Sequence, residues 1–276
     1  MHNTCCVYNL SDCLENASLH DIINTETASM TQSKTSSESD TSLNSHSVTN
    51  ASPETEGSSH SNKLLQQNNL IKNVWNSKNN MYGIIKYDKS YLTKDRAQTI
   101  GRFRSIVVKN NKLLCFSPPK SQDADTFMKT YKEQDCIAEE FVEGTMINLF
   151  YDPTALDNKG DWEISTKSTV GANVSFSKGQ GQGQGQGQPD QEKPYTFRSM
   201  FLEACSFVDL KFEKLSKDLC YSFVMQHPKN CIVTQINAIA LYIISAYKID
   251  NQAYTVEEQS KEHLKTMFNE TSVKLP

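Results

Sequence analysis

Short apolar runs rich in β-branched and aromatic residues, each closed by Asn, Asp, Gly or Pro, recur from residue 81 to residue 247. That rhythm limits the chain more than any other feature, because runs this short, separated by turn residues, form strands rather than a helical bundle. Residues 81–87 (MYGIIKY) open the series. Residues 104–109 (RSIVVK) and 113–117 (LLCFS) flank Asn110 and Asn111, a pair suited to a two-residue type I′ turn, and so predict a β-hairpin. Residues 136–140 and 145–151 read as two more strands with Glu143 and Gly144 turning between them; 162–166 (WEIST), 221–225 and 230–234 add three further strands. Residues 238–247 form a buried run, strand or helix. Helices are expected at 63–75, 123–133, 195–208 and 210–215. Many strands with few helices between them predict an α+β domain of antiparallel sheets with flanking helices, not a doubly wound parallel sheet.

The first 62 residues read differently. They hold eight acidic residues against the single Lys34, so the whole-chain charge of −4 resolves into −7 there and +3 for the remainder. Rich in Ser and Thr and poor in large apolar side chains, this stretch is expected to be a disordered acidic tail, since burial cannot offset the entropy of ordering it. Its apolar patches are far shorter than the ~20 residues that span a bilayer, so no membrane anchor or signal peptide is expected. Five consecutive Gly-Gln pairs at 179–188 predict a flexible surface loop over 178–194 inside the core at 63–247. Cys115, Cys136, Cys205, Cys220 and Cys231 are scattered without CxxC spacing and predict reduced thiols in an intracellular, reducing compartment, with no metal. GxGxxG, Walker, HExxH and GxSxG motifs are all missing.

Four blocks in order carry a resemblance. Glu140-Phe-Val-Glu143-Gly144-Thr145, continuing through 146–151 to 162–167 (WEISTK), resembles motif I and the following motif of the bacteriophage-type RNA ligases, members of the covalent nucleotidyltransferase superfamily. Residues 82–87 and 104–120 look like that family's preceding strands, and 221–224 with 228–233 resemble its third motif. The wording is also similar to RNA-ligase-like proteins of large eukaryotic DNA viruses. The resemblance implies an adenylation-domain-like fold, ATP and Mg²⁺ as cofactors and RNA ends as substrate.

It also implies two losses. In the family a lysine in Lys-x-Asp-Gly attacks the α-phosphate of ATP, and here Phe141 stands at that place, with Glu143 at the acidic one; a phenyl ring holds no nucleophile. Ser222 stands where the third motif has a ribose-binding glutamate. The closing motifs find no match in 248–276, a C-terminal extension, as though the domain were incomplete. What remains is basic: Arg104 and Lys120 match positions that contact phosphate in the family and Lys167 matches a basic site beside the nucleotide, with Glu140, Glu143 and Gly144 in motif I.

The bland alternative makes Arg104 and Lys167 solvated strand ends or partners of Glu139, Glu140 or Glu143. Lys86-Tyr-Asp88-Lys89 contains two thirds of a motif I, but Lys89 replaces the turn glycine, so it reads as a strand end with solvated lysines. His227, beside Pro228 in a turn, lacks a partner at interpretable spacing and is expected to be structural.

Three functions follow for testing. The chain is a nucleotide- or RNA-binding module unable to form lysyl-AMP; or an active ATP-dependent RNA ligase with a displaced nucleophile among Lys86, Lys120 and Lys167; or a structural or interaction protein. A charge of +3 on the folded part chooses none of them. Convergence of Arg104, Lys120 and Lys167 on one cleft would.

Overall fold

The computed structural model describes residues 6–15, 17–24, 63–174, 195–230 and 234–276. Its architecture is α+β, with two antiparallel sheets and few helices. The strands are β1 (Val7–Asn9), β2 (Leu70–Ser77), β3 (Asn80–Tyr87), β4 (Ile106–Lys109), β5 (Lys112–Cys115), β6 (Thr145–Asp152), β7 (Asp161–Ser165), β8 (Leu219–Gln226), β9 (Ala240–Asp250) and β10 (Thr255–Glu258). Four of them form a sheet in the order β2-β3-β4-β5, and six form a second in the order β1-β10-β9-β8-β6-β7. The helices named here are α1 (Leu19–Asn24), α2 (Ala124–Thr130), α3 (Phe197–Phe207) and α4 (Lys261–Met267).

Turn chemistry explains the smaller sheet. Asn110 and Asn111 both take positive φ, 48° and 62°, as a type I′ hairpin requires, and β4 and β5 pair across them. The same geometry recurs at Lys78 and Asn79, 49° and 63°, where β2 folds onto β3 in unbroken register from Ser77 opposite Asn80 to Leu70 opposite Tyr87. The expected helix at 63–75 therefore stops at residue 67. Asn69 enters the left-handed region at φ 55°, and the residues after it satisfy their backbone groups by pairing with β3.

Alternation along the larger sheet sends its two faces into different cores. Ile147, Leu149, Tyr221, Phe223, Met225, Leu241 and Ile243 pack with Met200, Phe201 and Ala204 of α3 and Leu264 of α4. The opposite face contributes Phe150, Cys220, Tyr247 and Val256 to a core shared with Tyr82, Ile84, Val107 and Phe116 of the smaller sheet side. The order is thus sheet, sheet, helices. α3 starts at a capping box: Ser199 N–H donates to Thr196 Oγ1 at 3.1 Å and Thr196 N–H to Ser199 Oγ at 2.9 Å.

Several expectations are corrected. Residues 6–15 and 17–24 are not tail. β1 pairs with β10, and Leu10, Leu19, Ile22 and Ile23 are 0–3% exposed in the core; residues 25–62 lie outside the described residues. No strand forms at 136–140, and Glu143-Gly144 is not a hairpin turn, because β6 has both edges taken by β7 and β8 and offers a third strand no ladder. Residues 210–215 shorten to a 3₁₀ turn, Phe212–Lys214, after Asp209 at φ 55°. The run at 238–247 resolves as β9. No core boundary exists at 247: β9 runs on to Asp250, and Leu264, Phe268 and Val273 are buried. The Gly-Gln repeat and most of the expected 230–234 strand lie outside the described residues. Among the described residues no helix is long and apolar enough to cross a membrane.

Candidate functional site

Basic side chains from four separate segments meet at one end of the sheets. Lys86 and Tyr87 end β3, and Lys89 follows in a 3₁₀ turn, Lys89–Tyr91, whose cap is Asp88 accepting from Ser90 N–H at 2.9 Å. Arg104 precedes β4. Lys120 follows Pro118 and Pro119 and is anchored through its own N–H, which donates to Gly101 O at 2.9 Å. Lys167 rides a tight turn after β7, in which Thr166 N–H donates to Thr169 O at 2.9 Å while Thr166 Oγ1 accepts from Thr169 N–H at 3.2 Å.

Tyr87, Lys89, Arg104, Lys120 and Lys167 line one cavity of about 290 Å³. Arg104 and Lys167 also form a wall of a larger one, about 530 Å³, whose lining is otherwise mostly apolar and includes Pro118, Phe141, Met146, Phe197, Val224 and Ile244. The two cavities therefore adjoin along a cationic partition. Lys167 Nζ lies 3.4 Å from Tyr87 Oη and 5.2 Å from the centre of its ring; Lys86 Nζ donates to Ser168 Oγ at 3.2 Å. Burial pushes the Lys167 amine below an ordinary lysine, and Arg104, Lys89 and Lys120 push it the same way. Burial, Lys167 and Lys89 do the same to Lys86. Arg104 Nε is buried without a hydrogen-bond partner among the described residues. Among the described residues, none of these five cations pairs with a carboxylate.

Strand register explains the floor. Met146 on β6 and Val224 on β8 face each other beneath the larger cavity. Two residues further along the same face comes a buried polar row, Ser165 opposite Asn148, Asn148 opposite Ser222 and Ser222 opposite Ser245. Ser222 Oγ donates to Asn148 Oδ1 at 2.8 Å, while Asn148 Nδ2 and Ser165 Oγ have no hydrogen-bond partner among the described residues. The row separates the cavity floor from the apolar core at Phe150, Cys220 and Tyr247.

The residues expected from sequence divide accordingly. Arg104, Lys120 and Lys167 are brought together. Glu140 and Gly144 line the larger cavity, and so does Phe141, which is 93% exposed. Two positions are corrected. Glu143 turns elsewhere: its carboxylate accepts from Thr234 N–H at 3.0 Å and Thr234 Oγ1 at 2.6 Å. Ser222, 0% exposed, is sealed into the polar row and does not reach the cleft. Lys89, read as solvated, belongs to the cluster; its place three residues after Lys86 gives no sign of that, because only the 3₁₀ turn aims it. His227 is buried, with Nε2 3.2 Å from Glu203 Oε2 and Nδ1 accepting from Lys229 N–H at 3.1 Å, which is a structural role.

The donor set does not suit a divalent ion. Among the described residues no group of three or more His, Cys, Asp or Glu could hold a metal. Glu139 is paired with Lys261 at 3.0 Å, and Glu163 with Arg198 at 2.6 Å. No family model and no curated protein matches the chain.

Proposed function

We propose that the chain is a ligase-like nucleotidyltransferase-fold module that binds a nucleotide or a phosphorylated RNA end and forms no covalent nucleotide intermediate at the motif I position. The observation that carries this reading is the convergence of Lys89, Arg104, Lys120 and Lys167 on a cavity that adjoins an apolar one, with Lys86 close enough to feel the charges of Lys167 and Lys89. Cations of this kind recognise phosphate oxygens, and an apolar cavity beside them takes the base and sugar. Phe141 supports the second half of the reading, since a phenyl ring at the cavity wall offers a stacking surface where an amine would offer a nucleophile. The free thiols of the described cysteines suit a reducing compartment.

One observation favours the displaced-nucleophile reading. Lys86 and Lys167 sit below ordinary lysines, and an amine with a depressed pKa is the more reactive one. Incubation with α-³²P-labelled ATP and Mg²⁺, followed by a denaturing gel, separates the two. The binding reading expects no labelled band together with saturable ATP binding by calorimetry. A band lost in Lys86→Gln or Lys167→Gln would establish a relocated nucleophile instead, and no binding of ATP or 5′-phosphorylated RNA would leave only a scaffold.

A further inference from the structure

Resting on that phosphate-binding reading, the charges of the cleft say in which form the phosphate is taken. Lys86, Lys89, Arg104, Lys120 and Lys167 have one another as neighbours: the charges acting on Lys167 come from Arg104, Lys89 and Lys120, and those acting on Lys86 from Lys167 and Lys89. Among the described residues no carboxylate lines the smaller cavity, and the larger one has Glu139, held by Lys261 at 3.0 Å, and the exposed Glu140. Asp88, next in sequence to Tyr87, accepts from Ser90 N–H at 2.9 Å as a turn cap.

A Mg²⁺ ion that accompanies bound phosphates is ordinarily held through at least one protein carboxylate. Where the protein instead presents amines and a guanidinium, a bound divalent ion would be repelled by the same groups that attract the phosphates. Arg104 sharpens the point. Its side chain lines both cavities, and among the described residues its buried Nε–H has no hydrogen-bond partner.

We propose that the cleft takes the phosphates of its ligand as the free anion rather than as the magnesium complex, its basic cluster standing in for the divalent ion. The ligand class is a polyphosphate, or a terminal triphosphate, with its charges uncompensated. Magnesium then competes with the protein for the ligand instead of assisting it.

Calorimetric titration of the full chain with ATP, and separately with inorganic tripolyphosphate, tests this in EDTA and in excess MgCl₂ at matched ionic strength. The expected result is that both bind in EDTA and that MgCl₂ weakens each by roughly tenfold, the equivalent of about 1.4 kcal/mol. Lys120→Gln, at an exposed position that leaves folding intact, weakens the EDTA complex and shrinks the magnesium effect. ATP binding that is equal or tighter in MgCl₂ overturns the inference and leaves the nucleotide-binding reading standing. Tripolyphosphate binding with the magnesium penalty, but no ATP binding, keeps the inference and overturns nucleotide recognition. Binding of neither anion in either buffer overturns both.

Discussion

Lys109 Nζ on β4 meets Asp152 Oδ2 on β6 at 2.6 Å, tying the small sheet to the large one through a pair in which the carboxylate is 0% exposed. Tyr82 Oη donates to the same carboxylate at 2.8 Å, and Thr154 N–H and Oγ1 donate to its other oxygen at 2.9 and 2.8 Å. Burial alone would push the Asp152 carboxyl up, but the hydrogen bonds from Lys109, Tyr82 and Thr154 outweigh it and hold the group below its usual value. Removing one member of such a pair leaves the other buried and uncompensated. Lys109→Met is therefore expected to cost about 3–5 kcal/mol in urea unfolding. The wild-type contribution is complete above the unfolded carboxyl value near ~3.9 and disappears as pH falls through the lower folded value, so the variant should show a shallower acid limb. Equal stability of the two proteins at neutral pH would show that the pair does not join the sheets.

Gly144 enters β6 at φ +152°, and a Cβ there would lie 2.5 Å from Met225 O. Backbone cannot yield to that contact as a flexible side chain would. Gly144→Ala should destabilise by more than ~1 kcal/mol and move the adjoining Phe141 and Val142 out of the cavity wall. A thermal midpoint within a degree of wild type, in the same buffer, would contradict it.

The apo protein and its complex should respond oppositely to alkali. Lys86 and Lys167 lie below the ordinary lysine value of about 10.4, so between their folded values and that one the unfolded chain binds more protons. Stability of the free protein then rises with pH across that window, while affinity for tripolyphosphate falls as the cluster loses charge. Lys167→Gln should flatten both slopes. Parallel slopes in wild type would mean that these amines do not face the ligand.

Why some of this was readable in the sequence and some was not is a matter of range. The Asn110-Asn111 turn is local chemistry, and it appears where the residues say. The Lys78-Asn79 turn has the same geometry but opens with a lysine, so the strand after Asn69 looked like helix. Composition averaged over 62 residues hid Leu10, Leu19, Ile22 and Ile23, which gain their burial only from β10 and the sheet core far along the chain. Arg104, Lys120 and Lys167 were legible by resemblance. Lys86 was legible only as a candidate displaced nucleophile and Lys89 not at all, because an exposed strand end and a cleft wall look alike until the partner segments are in place. Ser222 failed for the opposite reason: register with Asn148 and Ser245 buries it.

A chain starting at residue 25 should fail to fold cooperatively. It would lose β1, exposing the edge of β10, and four core side chains that are 0–3% exposed. Each is worth roughly 1.5–3 kcal/mol of burial. Together they rival the ~5–15 kcal/mol that holds a typical domain. Circular dichroism melting would decide: a sharp transition near that of the full chain would restore the reading of these residues as tail.

Phe141 lines the larger cavity and not the smaller, cationic one. At 93% exposure its side chain holds little of the fold, so Phe141→Ala should change stability by no more than ~0.5 kcal/mol. If the larger cavity takes a base, the same substitution removes a stacking face worth about 1–3 kcal/mol of ATP affinity. Tripolyphosphate has no base to stack, and its affinity should stay unchanged, because Arg104, Lys120 and Lys167 remain. Equal losses for both ligands would mean that Phe141 shapes the cationic wall rather than the base site; no loss for either would remove the larger cavity from nucleotide recognition.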